Sequence, residues 1–88
     1  MAYENIDKLL MSFHLHKTMP RRTLLAHLCS YSGYVDAETL WLELKCKGGQ
    51  ISWATTYHTL NVLSKHGVVD RKACEKQGKY IFKLTVSC

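Results

Sequence analysis

The sequence predicts a mainly helical domain closed by a small β-hairpin, in the order α-α-α-α-β-β. Three observations lead there. Apolar residues recur at three- and four-residue steps through four successive stretches. Each stretch is bracketed by capping or breaking residues. After Gly67 the apolar period drops from helical to alternating.

Residues 5–17 read as the first helix, because Ile6, Leu9, Leu10 and Phe13 form one apolar stripe. Thr18 and Pro20 mark a restart, since proline fits a first helical turn and threonine caps one. The second helix runs from there to about Ser30, with Leu24, Leu25, Leu28 and Tyr31 expected inside. Gly33 punctuates a loop, and Asp36 caps a third helix carrying Ala37, Leu40, Trp41 and Leu44 on its inner face. Gly48 and Gly49 stop that helix, and the short gap to Ser52 suits a helix–turn–helix in which the third helix braces the fourth. The fourth spans about 52–66, with Ser52 as cap, Gly67 tolerating a positive φ, and Trp53, Thr56, Leu60 and Leu63 on one face. Residues 68–72 and 79–84 alternate as strands, joined by the basic loop ACEKQG.

Eighty-eight residues bound a single domain with a modest core. No apolar run reaches the ~18–20 residues that span a bilayer, and the start MAYENIDKLL does not resemble a signal peptide, so a cytoplasmic location is expected. The four cysteines form no C-x-x-C pair and read as reduced thiols. His14 and His16 form an H-x-H, but a two-residue step on a helix separates them, so no metal site is expected. No phosphate loop, carboxylate cluster or activated nucleophile is evident; neither an enzyme nor a cofactor is expected.

The charge is uneven. The chain carries +5 overall, and from Lys65 onward six basic residues face only Asp70 and Glu75. Such a surplus points to a polyanion, most often nucleic acid. The fourth helix complements it. Opposite its apolar stripe stand Thr55, His58, Asn61 and Lys65, with Tyr57 on the flank and no acidic residue anywhere in 51–69. Hydroxyl, imidazole, amide and ammonium groups suit base edges in a major groove, where nothing should repel phosphate. An ordinary solvated helix face would look similar. Arg21 and Arg22 stand in the first turn of the second helix, against its dipole, which hints at an external anion.

The segments MPRRTLLAHL, VDAETLWLEL, ISWATTYHTLNVLSKHGVV and GKYIFKL together resemble the DNA-binding half of the ferric uptake regulator family, over about residues 18–84. The A-T-x-Y-x-T-L core, matched by Ala54, Thr55, Tyr57, Thr59 and Leu60, is the most specific part. The resemblance implies a winged helix-turn-helix, with the A-T-x-Y helix in the major groove and the hairpin as a wing near the backbone. It implies base-facing roles for Thr55, Tyr57 and His58, and phosphate-facing roles for Arg21 and the wing lysines Lys76 and Lys79. Two departures stand out: His58 replaces the family's arginine, and Tyr34 replaces a histidine ligand. The family's C-terminal half, which supplies dimerisation and most metal ligands, has no counterpart here, so no metal response is expected.

The expected function is therefore a DNA-binding transcriptional regulator acting on double-stranded DNA. Ser52, Thr55, Tyr57, His58, Asn61, Lys65, Arg21, Arg22, Lys76 and Lys79 form its expected binding surface. One module alone binds weakly, so a homodimer is expected, through the first helix or the last strand. The alternative is a winged-helix protein-interaction module with aromatic anchors drawn from Trp41, Trp53, Tyr31 and Tyr34, although both tryptophans read as inward-facing.

Overall fold

A computed structural model describes residues 4–86. The elements follow the order α1 (Glu4–Ser12), α2 (Met19–Leu28), β1 (Val35–Asp36), α3 (Ala37–Cys46), α4 (Trp53–Lys65), β2 (Val69–Cys74) and β3 (Lys79–Leu84). This is the expected winged helix-turn-helix, with one addition. The hairpin gains a third, two-residue strand, giving an antiparallel sheet ordered β1-β3-β2. Val35 pairs with Phe82 and Asp36 with Ile81. Two residues are too few to show a period, so β1, which contains the cap residue Asp36, leaves no mark in the sequence.

Three of the helices end on the same backbone motif. In α4, the Val68 N–H donates to the Leu63 carbonyl (3.0 Å) and the Gly67 N–H to Ser64 (3.1 Å), with Gly67 at φ +83°. In α3, Gly49 bonds Leu44 and Gly48 bonds Lys45 around Gly48 at φ +86°. These are Schellman closures, which satisfy carbonyls orphaned at a helix end. The end of α1 uses the same pair of bonds, Leu15 to Leu10 (2.9 Å) and His14 to Met11 (3.0 Å), but the left-handed residue is His14 at φ +60°. The first helix therefore stops at Ser12 rather than running to residue 17. Closure there turns Leu15 back into the core, and no glycine marked the stop. His14 and His16 consequently lie beyond the helix.

The N-caps are those the sequence indicated. Thr18, Asp36 and Ser52 each accept the backbone N–H three residues on. The core is built from Leu10, Leu24, Leu25, Leu28, Leu40, Leu60, Leu63, Val68 and Phe82, at most 2% exposed. It joins all four helices to the inner face of the hairpin. Tyr31 lies after α2 and is only half-buried. Its hydroxyl donates to Glu43 of α3, whose Oε1 also lies 2.7 Å from Nε2 of buried His27. That polar knot ties α2 to α3. Among the described residues Cys46 and Cys74 are free thiols. No described helix is long and apolar enough to cross a membrane.

Candidate nucleic-acid interface

The surface of interest is organised by α4. Its buried residues are Thr56, Thr59, Leu60 and Leu63. Ser52 Oγ accepts the Thr55 N–H (3.1 Å) and donates to Thr55 Oγ1 (2.9 Å), while Thr56 Oγ1 donates to the Ser52 carbonyl (2.9 Å). The first turn is thus rigid, and its positive dipole end is free of acidic side chains.

On the other side, His58 and Lys65 are exposed, and Asn61 is half-buried. His58, Asn61, Ser64 and Lys65 line a polar groove of about 470 Å³ whose far wall is Arg71 of β2. Arg71 bonds Asn61 (3.2 Å), and its guanidinium lies 4.7 Å over the Tyr80 ring. Helix and hairpin therefore share one surface. Arg71 was not among the expected site residues. Its place on β2, two residues beyond buried Val69, was the available clue, since an alternating strand puts both on one face. Tyr57 is half-buried, packed against the core and beside Trp53. Ser52 and Thr55 line a second groove with Met19, Pro20 and Thr23 of α2.

The basic residues divide into three kinds. Lys65 and Lys76 are exposed, Lys76 at the tip of the wing turn. Lys79 is exposed but bonded to Asp36 (3.3 Å), so its charge is partly matched. Burial opposes ionisation of Asp36, but hydrogen bonds from the Thr39 hydroxyl and N–H and from Lys79 outweigh it and hold the carboxyl below its ordinary value. Arg21 Nη1 donates to the His16 carbonyl (3.0 Å). Arg22 departs from expectation. Its Nε and Nη2 donate to the two oxygens of Asp7 (2.9 and 3.0 Å), a bidentate pair between α2 and α1. The anion hinted at by its place in the helix dipole is thus internal, and a partner fifteen residues away leaves no local mark. Asp70 of β2 is taken up by the Tyr34 hydroxyl, whose ring lies beneath Lys72 (5.6 Å) and Lys83 (5.8 Å).

Trp53 also departs from expectation. It is 43% exposed rather than inward. Periodicity fixes the angle of a residue about a helix axis, not how far along that axis the neighbours reach. At the first residue of α4 the buried stripe has run past its cover. Trp53 meets Trp41 edge-on (5.8 Å) and lies tilted against Tyr57 (5.8 Å). Trp41 is half-buried, and its Nε1 donates to the Ile51 carbonyl (3.0 Å). These rings, with Tyr80 and Lys79 of β3, line a cleft of about 720 Å³ between the helices and the wing. No metal-binding cluster of three or more His, Cys, Asp or Glu side chains occurs among the described residues.

Comparison with known proteins agrees with this arrangement. The family model described as "Ferric uptake regulator family" matches residues 13–87. The ferric uptake regulator of Vibrio cholerae superposes with a TM-score of 0.83 at 30% identity, over 92% of this chain and 62% of its own. That of Pseudomonas aeruginosa, solved with manganese, gives 0.81 at 27% identity, over 99% of this chain and 63% of its own. The Helicobacter pylori regulator, at 18% identity, shares the fold with a TM-score of 0.78. No curated protein matches the chain. The chain spans less than two thirds of the length of these solved structures, corresponding to a winged-helix portion. With the family pattern covering most of its residues, the chain belongs to the ferric uptake regulator family.

Proposed function

We propose that residues 1–88 act as one DNA-binding domain of a transcriptional regulator, laying α4 in the major groove of double-stranded DNA with the wing against the backbone. The observation that carries this is the uncovered side of α4: His58 and Lys65 exposed, no acidic residue along the helix, and Arg71 flanking it from β2. Family membership supports it. In this reading Thr55, Tyr57, His58 and Asn61 meet base edges, and Ser52 stands beside the first turn. Lys65, Arg71, Arg21, Lys76 and Lys79 meet phosphates. Arg22 is left out of the set, its charge being matched by Asp7. A neutral imidazole at position 58 makes one base hydrogen bond, where arginine would make a bidentate pair with guanine.

The test is selection of bound duplexes from a random DNA pool at two salt concentrations. A recovered motif whose affinity falls steeply with salt is the expected outcome. Failure to retain any duplex at low salt overturns the reading.

Two copies would raise avidity by ~10²–10⁴ without new contacts, which supports a homodimer. A groove along α1, lined by Leu9, Phe13 and Val86, offers a self-association surface. Sedimentation at tens of micromolar checks this, and a monomer with and without DNA removes it. A second reading, a protein-interaction module, is favoured by the aromatic cleft of Trp41, Trp53 and Tyr80. It predicts no DNA binding even at low salt.

A further inference from the structure

We propose that Trp53 is a specificity-determining residue that reads the 5-methyl group of a thymine at the edge of the bound site. The inference rests on the DNA-binding reading above and goes beyond it, because Trp53 lies outside the polar face that reading uses.

Three observations converge. Trp53 is the first residue of α4, and the N-terminal residues of a recognition helix are the ones that reach base edges. The residue is 43% exposed, although tryptophan is on average highly buried. It is held in place, with Trp41 edge-on at 5.8 Å and Tyr57 tilted against it at 5.8 Å. A ring fixed before contact loses little freedom on binding. The charge around it is mixed, with Lys45 Nζ 4.9 Å over the Trp41 ring and Lys79, Asp36 and Glu38 on the wall of the same cleft. Of the two acids on that wall, Asp36 is engaged by Thr39 and Lys79, and exposed Glu38 is the opposing charge.

The chemistry follows from what the major groove offers. Base edges there are polar except for the thymine methyl, the one apolar feature of the code. An exposed indole face at that depth gains by covering a methyl and gains nothing from cytosine. The indole Nε1 has no acceptor among the described residues, in contrast to that of Trp41, which donates to Ile51. It is free to donate to a phosphate and so to seat the ring.

The experiment uses the full chain and the best duplex recovered from the random pool. Each thymine is replaced in turn by deoxyuridine, which removes the methyl and nothing else, and affinity is read by fluorescence anisotropy. Burying one methyl is worth about a three- to fivefold change in affinity. We expect a loss of that size at one or two thymines at the edge of the site, and we expect Trp53→Ala to abolish the thymine–uracil difference there. Trp53→Leu, which keeps an apolar surface, should retain part of it. The wild-type comparison alone needs no variant to fold. Equal affinity for thymine and uracil at every position, or an unchanged difference in Trp53→Ala, overturns this inference while leaving DNA binding intact. Absence of any binding at low salt overturns both.

Discussion

Asn61 Oδ1 accepts a hydrogen bond from Arg71 Nη1 at 3.2 Å, which joins the exposed side of α4 to the first strand of the wing. The same guanidinium lies over Tyr80, so Arg71 is fixed from two sides. If it meets phosphate, Arg71→Ala should weaken binding to all duplexes alike and reduce the log–log salt slope by about 0.9. Asn61→Ala leaves that charge in place, so the slope should hold while affinity falls. Anisotropy titrations over a salt series separate the two. An unchanged slope in Arg71→Ala takes Arg71 out of the phosphate set.

His58 is predicted to act on sequence preference instead. His58→Ala should redistribute the motif recovered from a random pool at one or two positions, without altering the salt slope. The same motif in variant and wild type would show that the imidazole reads no base.

The Arg22–Asp7 pair is predicted to hold the fold rather than the ligand. Both side chains are about three-quarters covered, at 27% and 23% exposed. Their contribution should fall between exposed and buried pairs, about 1–2 kcal/mol. Asp7→Asn should lower the melting temperature by several degrees, at about 4–8 °C per kcal/mol for a domain of this size, and leave the salt slope of DNA binding untouched.

The polar knot between α2 and α3 sets the pH dependence of stability. The Tyr31 hydroxyl, followed by His27, holds the Glu43 carboxyl below its ordinary value. Its contribution is present above the ordinary glutamate range and lost as pH falls through the lowered value. Burial, followed by Glu43, pushes Tyr31 from 10.0 up to about 12. Neutral Tyr31 therefore stabilises the fold below pH 10, and this is lost as pH rises toward 12. Thermal unfolding against pH should show Glu43→Gln flattening the acid limb and Tyr31→Phe flattening the alkaline one.

His14 offers a gain. A left-handed residue other than glycine costs about 1–2 kcal/mol, and glycine's greater freedom in the unfolded chain returns about 0.5–1. His14→Gly should therefore stabilise the protein by about 0.5–1 kcal/mol in chemical denaturation. A loss of stability would mean that the imidazole contributes more than its backbone costs.

What could be read from the sequence was local. Ser52, Asp36 and Thr18 announce their caps, Gly67 its left-handed closure, and the A-T-x-Y core its family, because each works within a few residues of itself. What could not be read depends on contacts between distant segments. Asp7 finds Arg22 across two helices, Val35 finds Phe82 across most of the chain, and His14 adopts a glycine-like conformation because Leu15 has a core to enter. Trp53 shows the same limit. Its angle on α4 was legible, but the reach of the neighbouring helices was not.

Asp36 belongs at once to a strand, a helix cap and an ion pair. A ribbon anchored in that way cannot swing outward without breaking the pairing of Val35 and Asp36 with β3 and the Lys79–Asp36 ion pair. The molecule thus behaves as a caliper whose opening is preset when the chain folds. If the domain binds DNA as proposed, the duplex has to bring its own curvature to meet that gap.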